Sequence, residues 1–184
     1  MSGVAAPVAA GCREALRSLA PLFAWPGLAG DGEAGHAAEL ARADSGAARE
    51  LGLFIKEICR LRLADREMLY TTTFDLAPSC SPYLGVHLFE EDNLARGRLM
   101  IGLRSSFVAG GVDPGVELPD HIALVLAFAT RYSGEEWPDL VRLILLPALE
   151  RMERALAHTR NPYRHLVSAT RRLALAAAGE GETA

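Results

Sequence analysis

The residues whose types could take part in catalysis lie in one short stretch that contains Cys80 and His87. A cysteine and a histidine can act as nucleophile and general base when a third group orients the histidine and the thiol pKa is lowered. Cys80 lies between two serines in a proline-containing loop, with no strongly basic neighbour and no evident third group. We therefore interpret Cys80 as a small loop residue and His87 as a residue on a helix face. A hydrolase using this pair is kept as an alternative, and it predicts loss of activity in Cys80→Ser.

The same stretch contains residue types that bind metal ions. The candidate ligands are Cys80, His87, Glu90, Glu91 and Asp92. Their spacing matches no recognised ligand pattern, and consecutive carboxylates are typical of a solvated surface. We predict neither a metal site nor a resident cofactor.

The cysteines and the missing motifs indicate a non-enzymatic protein of a reducing compartment. Cys12, Cys59 and Cys80 form no CxxC pair, so neither a disulfide framework nor a zinc finger is predicted. The sequence contains no GxSxG, GxxxxGK[ST], GxGxxG or HExxH motif. We also recognise no signal peptide and no transmembrane segment, and we expect a cytoplasmic protein.

The composition is that of one folded domain covering residues 1–184. Hydrophobic residues make up 50% of the chain and charged residues 23%. The formal net charge of −4 argues against nucleic-acid binding, which needs a basic surface. An acidic surface does suit a basic peptide partner.

Apolar residues recur at helical spacing along most of the chain, which predicts an all-α single-domain helical bundle. Pro147 interrupts one long helical pattern, so we expect a kink there. Asn161 and Pro162 are typical of a helix start. Residues 1–10 and 179–184 are predicted to be disordered. The remaining predicted helices fall within 12–25, 33–43, 50–60, 65–74, 93–107, 119–128 and 138–156.

Two segments are candidates for a binding surface, and the first runs from Tyr70 to Gly97. Tyr70 and Phe74 are four residues apart and share one helix face. Asp75 directly follows that face, and we expect it to pair with Arg96. Tyr83 follows in the proline-containing loop.

The second segment is Glu117-Leu118-Pro119-Asp120-His121. Pro119 is placed where a helix can begin, and we expect Asp120 to cap that helix. His121 would then lie near the solvent edge of a groove and make binding pH-sensitive. Glu117 and Asp120 would supply an acidic rim.

These segments resemble a known family. The resemblance rests on YTTTFDLAPSCSPYLGVHLF, then RGRLMIGL, then ELPDHIALVL, within a resembling part that spans about 61–128. It is supported by Phe23-Ala24-Trp25-Pro26 and Asn161-Pro162-Tyr163. In order and spacing they are similar to the nitrate reductase delta-subunit family, the NarJ/TorD-type chaperones that assemble molybdenum enzymes.

The resemblance implies an all-helical chaperone without catalytic activity. Its partner would be the N-terminal segment, often a twin-arginine signal, of an apo molybdopterin-containing catalytic subunit. The residues implied to contact this client peptide are Tyr70, Phe74, Asp75, Tyr83, His87, Glu117, Pro119, Asp120 and His121. Arg96 and Gly97 would support the helix packing beneath them. The double change Asp120→Ala and His121→Ala is expected to weaken peptide binding without unfolding the protein.

The stretch HLFEEDNLARG resembles one branch of the family more than typical nitrate reductase chaperones. That branch serves periplasmic enzymes of the dimethyl-sulfide dehydrogenase, ethylbenzene dehydrogenase, selenate reductase and chlorate reductase type. The chain is expected to be a monomer or a homodimer that inserts into no membrane. The alternative from another class is a helical structural subunit that stays in the mature oxidoreductase complex.

Overall fold

The computed structural model describes residues 5–26, 36–37, 44–89, 93–131 and 136–178. Helices are the regular elements of these ranges, which confirms the predicted all-α class. Their bounds are α1 Ala5–Leu19, α2 Ser45–Ile58, α3 Leu63–Tyr70, α4 Leu84–Phe89, α5 Asn93–Ala109, α6 Ile122–Ala127, α7 Glu136–Leu140, α8 Leu146–Leu156 and α9 Tyr163–Ala178. A 3₁₀ turn, Ala20–Phe23, follows α1.

Helix α9 forms the centre of the bundle, where it packs against α1, α2 and α8. Its apolar face is fully buried, and the rings of Tyr163 and Phe54 lie 5.4 Å apart at the contact with α2. The predicted cap at Asn161 is confirmed, because its side-chain oxygen accepts a hydrogen bond from the Tyr163 N–H at 3.0 Å. Asp44 caps α2 in the same way through the Ala47 N–H at 2.6 Å.

Several boundaries differ from the predicted ones. Helix α1 begins at Ala5, within residues 1–10, which were expected to be disordered. Asp65 does not cap α3; Arg62 holds that position, and Asp65 pairs with it at 2.9 Å from the first turn. Residues 1–4, 179–184 and most of the helix expected at 33–43 lie outside the described residues. None of the described helices has the length and apolar character needed to cross a bilayer.

The threonine run Thr71-Thr72-Thr73 continues α3 as a π turn, Thr71–Asp75. The Thr72 and Thr73 hydroxyls donate to the carbonyls of Met68 and Leu69 at 2.9 and 2.5 Å, and such side-chain bonds compete with the helical ladder. The Leu76 N–H accordingly reaches the Thr71 carbonyl, five residues back, at 2.9 Å. This wider turn sets the direction in which Phe74 and Asp75 leave the helix.

A second π turn, Val141–Leu145, lies directly before the predicted kink at Pro147. Proline has no N–H to donate to the carbonyl four residues earlier, so the regular ladder cannot continue through it. The chain changes its hydrogen-bonding pattern at this point and resumes as α8. The long helix predicted from Pro138 to Leu156 is therefore divided into three parts.

Candidate functional site

The two predicted binding segments meet in an isolated antiparallel bridge between Tyr83 and His121. The Leu84 N–H donates to the Asp120 carbonyl at 2.8 Å, and the Ile122 N–H donates to the Pro82 carbonyl at 2.9 Å. Helix α4 begins immediately after Tyr83, and helix α6 begins immediately after His121. The bridge thus joins two helix starts that are distant in sequence.

A cleft of about 500 Å³ opens beside this bridge. It is lined by Ala24, Trp25, Tyr70, Phe74, Asp75, Pro78, Ser81, Pro82, Tyr83, Glu117, His121, Ala123 and Leu124. Six of the nine predicted peptide-contacting residues are among them: Tyr70, Phe74, Asp75, Tyr83, Glu117 and His121. The other three, His87, Pro119 and Asp120, are outside the lining.

One wall of the cleft is aromatic. Trp25 and Tyr70 meet edge to face with ring centroids 5.4 Å apart, and Tyr70 lies 5.3 Å from Phe74. Phe74 is 3% exposed, whereas Trp25 at the mouth is 38% exposed. The Tyr70 hydroxyl contacts the Phe23 carbonyl at 3.4 Å, and burial raises the Tyr70 pKa to about 12. This wall is therefore uncharged at neutral pH and leaves one large ring open to a ligand.

The rim of the cleft is acidic. The Tyr83 hydroxyl donates to the Glu117 carboxylate at 3.1 Å, and the same carboxylate accepts the Leu118 N–H at 2.9 Å. Asp75 is exposed on the opposite segment. No lysine or arginine lines the cleft among the described residues, so its fixed charge is negative.

Asp120 does not contribute to that rim, which corrects the sequence-based expectation. Its side chain is completely buried and accepts two hydrogen bonds from Arg96, at 2.9 Å from Nε and 3.3 Å from a terminal nitrogen. A third bond comes from the Gly85 N–H at 3.2 Å. Arg96 therefore pairs with Asp120 and not with Asp75. The guanidinium also lies 5.6 Å from the Tyr83 ring, so the pair supports the cleft from behind.

His121, and not Asp120, caps the helix that follows. Its Nδ1 accepts the Ala123 N–H at 3.2 Å, and α6 begins at Ile122, later than predicted from Pro119. The side chain is 5% exposed, so it lies in the back of the cleft and not at a solvent edge. Burial lowers the His121 pKa, against the opposing effect of Glu117 and Asp120. A neutral ring is also what the cap requires, since a protonated Nδ1 cannot accept.

The remaining predicted residues have structural surroundings. His87 is half-buried, with Nε2 2.8 Å from the Ser81 carbonyl, and burial lowers its pKa. Pro119 is buried, and Gly97 lies on α5 away from the cleft lining. Burial raises the Cys80 pKa to about 12, which disfavours the thiolate that a nucleophile needs. No cluster of three potential metal ligands occurs within the described part of the chain, and Glu90, Glu91 and Asp92 lie outside it.

Sequence reasoning missed part of the site. Trp25 was noted only as part of a motif near the N-terminus, yet it lies against Tyr70 across 45 residues of sequence. Gly85 was also missed: a Cβ there would lie 2.7 Å from an Asp120 carboxylate oxygen and 2.8 Å from Arg96 Cγ. The sequence signal for the first is a tryptophan directly followed by a proline at the end of a predicted helix. Nothing in the sequence around Gly85 indicates its role, which follows only from the ion pair that it accommodates.

The family model for the nitrate reductase delta subunit matches residues 37–167. The chain belongs to the nitrate reductase delta subunit family. Members of this NarJ/TorD-type family are assembly chaperones that bind apo molybdoenzyme subunits. No curated protein matches the sequence. Within this family member, the matched residues include both segments of the bridge, while Ala24 and Trp25 come from before the match.

Proposed function

We propose that this family member is a cytoplasmic, non-enzymatic chaperone whose cleft binds the N-terminal segment of a molybdopterin-containing catalytic subunit. The chain would hold that subunit until its cofactor is inserted and would leave before export. The observation that carries the proposal is the combination, in one cleft, of an aromatic wall with a rim whose described charged residues are acidic. No catalytic step is needed for this role.

The cleft suits a peptide that has both apolar and basic side chains. An apolar side chain can pack on the half-buried Tyr70 and Leu124, and a cation can lie over the exposed face of Trp25. Asp75 and Glu117 would then pair with arginines from two sides of the opening. A twin-arginine signal, with its adjacent basic and apolar residues, has this composition.

The direct test is a calorimetric titration with a synthetic twin-arginine N-terminal peptide. Glu117→Gln and Asp75→Asn should each weaken binding about five-fold, because each removes roughly 1 kcal/mol of partly screened attraction. Trp25→Ala should weaken it by a similar amount through the lost cation–π and packing contact. Glu150→Gln is the matched control, because Glu150 is an exposed carboxylate on α8 outside the cleft.

The peptide supplies a second control. A peptide with both arginines replaced by glutamine should bind weakly to the native protein. The Glu117→Gln and Asp75→Asn variants should bind this peptide with the same affinity as the native protein. Equal affinities for the two peptides, or an equal effect of the Glu150 control, would reject the acidic rim as the recognition element.

Co-purification from the native cytoplasm separates a chaperone from a structural subunit. A chaperone is recovered with a catalytic subunit that lacks its molybdenum cofactor and is absent from the mature enzyme. Recovery of the complete, cofactor-loaded complex would favour the structural subunit. We propose a client from the branch that serves dimethyl-sulfide dehydrogenase and similar periplasmic enzymes, and mass spectrometry of the recovered subunit identifies it.

A further inference from the structure

Helix α5 carries an apolar stripe on its outer surface. Leu94, Ile101 and Val108 are 68%, 70% and 65% exposed. They are seven residues apart, so they lie along one side of the helix. The opposite side buries Leu103 and Phe107 in the core. Helix α5 is thus apolar on two sides, and the described chain covers one of them.

Two glycines lie near Ile101 on α5: Gly97, one turn earlier, is on the side of the stripe, whereas Gly102 directly follows Ile101 and lies about 100° around the helix. A Cβ added to Gly97 or Gly102 would meet no described atom within 4 Å, so internal packing does not require either glycine. A glycine inside a helix costs about 0.5–1 kcal/mol relative to alanine. The absent side chain of Gly97 lets a second helix approach the backbone beside Ile101.

The charged residues beside the stripe are arginines. Arg98 and Arg104 are exposed beside it, and neither forms an ion pair with a described residue. The sequence of α5 contains three arginines and no aspartate or glutamate, in a chain whose net charge is −4. A partner that covers this face must therefore bring carboxylates to its edges.

A second copy of the chain is a poor occupant. Antiparallel pairing centred on Ile101 would place Arg98 of one copy against Arg104 of the other, and parallel pairing would place each arginine against itself. An anionic membrane is also disfavoured, because the chain as a whole is acidic and lipid binding does not require a glycine on this face.

We propose that the outer face of α5 docks an acidic amphipathic helix of another protein. Leucine-type residues of that helix would cover Leu94, Ile101 and Val108, and its backbone would approach at Gly97. Its carboxylates would pair with Arg98 and Arg104. No residue of α5 lines the cleft, so this surface is separate from the proposed peptide site and can be tested independently of it.

The probe is a labelled helical peptide with leucines along one face and glutamates on both flanks. The control peptide has lysines in place of the glutamates. The affinity of the full chain for each labelled peptide is measured by fluorescence anisotropy. The acidic peptide should bind at least about tenfold more tightly, a difference of about 1.4 kcal/mol. Ile101→Glu should reduce its affinity by about tenfold or more, without lowering the melting temperature, because Ile101 is already in solvent.

A glycine exchange gives a readout that a merely structural role would not produce. The variant Gly97→Ala should melt at a higher temperature yet bind the acidic peptide several-fold more weakly, because the added methyl group holds the partner helix away. Gly52→Ala is the matched control: Gly52 is an exposed glycine inside α2 with equally open surroundings. It should stabilise the chain and leave peptide affinity unchanged.

Three results would overturn the proposal. The first is equal binding of the two peptides, or acidic-peptide binding that survives Ile101→Glu. The second is a concentration-dependent dimer in sedimentation that Ile101→Glu dissolves, which would make the face a self-interface. The third is flotation of the native chain, but not of Ile101→Glu, with anionic phosphatidylserine vesicles.

Discussion

Asp120→Ala should destabilise the protein substantially, in contrast to the expectation from sequence. The substitution leaves Arg96 without its partner and the Gly85 N–H without its acceptor, at a position that is 0% exposed. Removing one member of a buried ion pair costs about 3–5 kcal/mol. The Arg96 side chain keeps 22% exposure and so regains some hydration, which places the expected loss near the lower end, at about 3 kcal/mol.

The loss can be measured by urea unfolding and by thermal melting. A loss of about 3 kcal/mol corresponds to a fall of roughly 6–12 °C in Tm for a chain of this size. Asp75→Ala is the matched control, because it removes an exposed carboxylate and should change stability by about 0.5 kcal/mol or less. A loss below about 1 kcal/mol for Asp120→Ala would refute the reasoning that the pair holds the two segments together.

A double-mutant cycle separates the pair from its surroundings. Arg96→Met alone leaves the Asp120 carboxylate buried and uncompensated, and it should also cost about 3 kcal/mol. The combined variant should lose less than the two single losses together, by about 1.5 kcal/mol or more, because neither charge is left behind. The same result implies that Asp120→Ala with His121→Ala would report on folding as well as on peptide binding.

Two further predictions concern the same bridge. Gly85→Ala should destabilise the chain by roughly 1–3 kcal/mol in urea unfolding, because the added methyl group would displace Arg96 or Asp120; an unchanged midpoint would count against the tight packing. The pKa of His121 is about 6.5 in the unfolded chain and is lowered in the folded chain by burial. The neutral ring therefore contributes to stability above about pH 6.5, and this contribution is lost as the pH falls toward the lowered pKa of the folded chain. His121→Ser keeps a capping oxygen but does not titrate, so its free energy of unfolding should fall less than that of the native chain between pH 7 and pH 5.5. The idea fails if both fall equally.

Local sequence was enough to predict most helices and one cap. Asn161 caps α9 because its own side chain reaches an N–H two residues later, an interaction that needs no distant partner. Tyr70 and Phe74 meet because they are four residues apart, a spacing that brings side chains together on one helix face. The all-α class follows from many such local preferences acting together.

Only the tertiary structure decided which distant groups meet. Both Asp75 and Asp120 were available to Arg96, and the bridge between Tyr83 and His121 places Asp120 beneath the surface where the guanidinium can reach it. Asp75 ends the π turn, is exposed to solvent and lies at the rim of the cleft. The choice depends on burial, because an unpaired carboxylate is tolerated in water but not in the core.

The cleft itself combines both kinds of information. The types of residue that a basic, apolar peptide would need were evident from the sequence, and six of the nine named residues line one cavity. Trp25, two residues after the 3₁₀ turn and far away in sequence, completes the aromatic wall, and His121 acts as a buried cap and not as a surface switch. Sequence determines such preferences because they arise from neighbouring residues; the enclosure of a site depends on packing between elements, and that is settled only when the whole chain has folded.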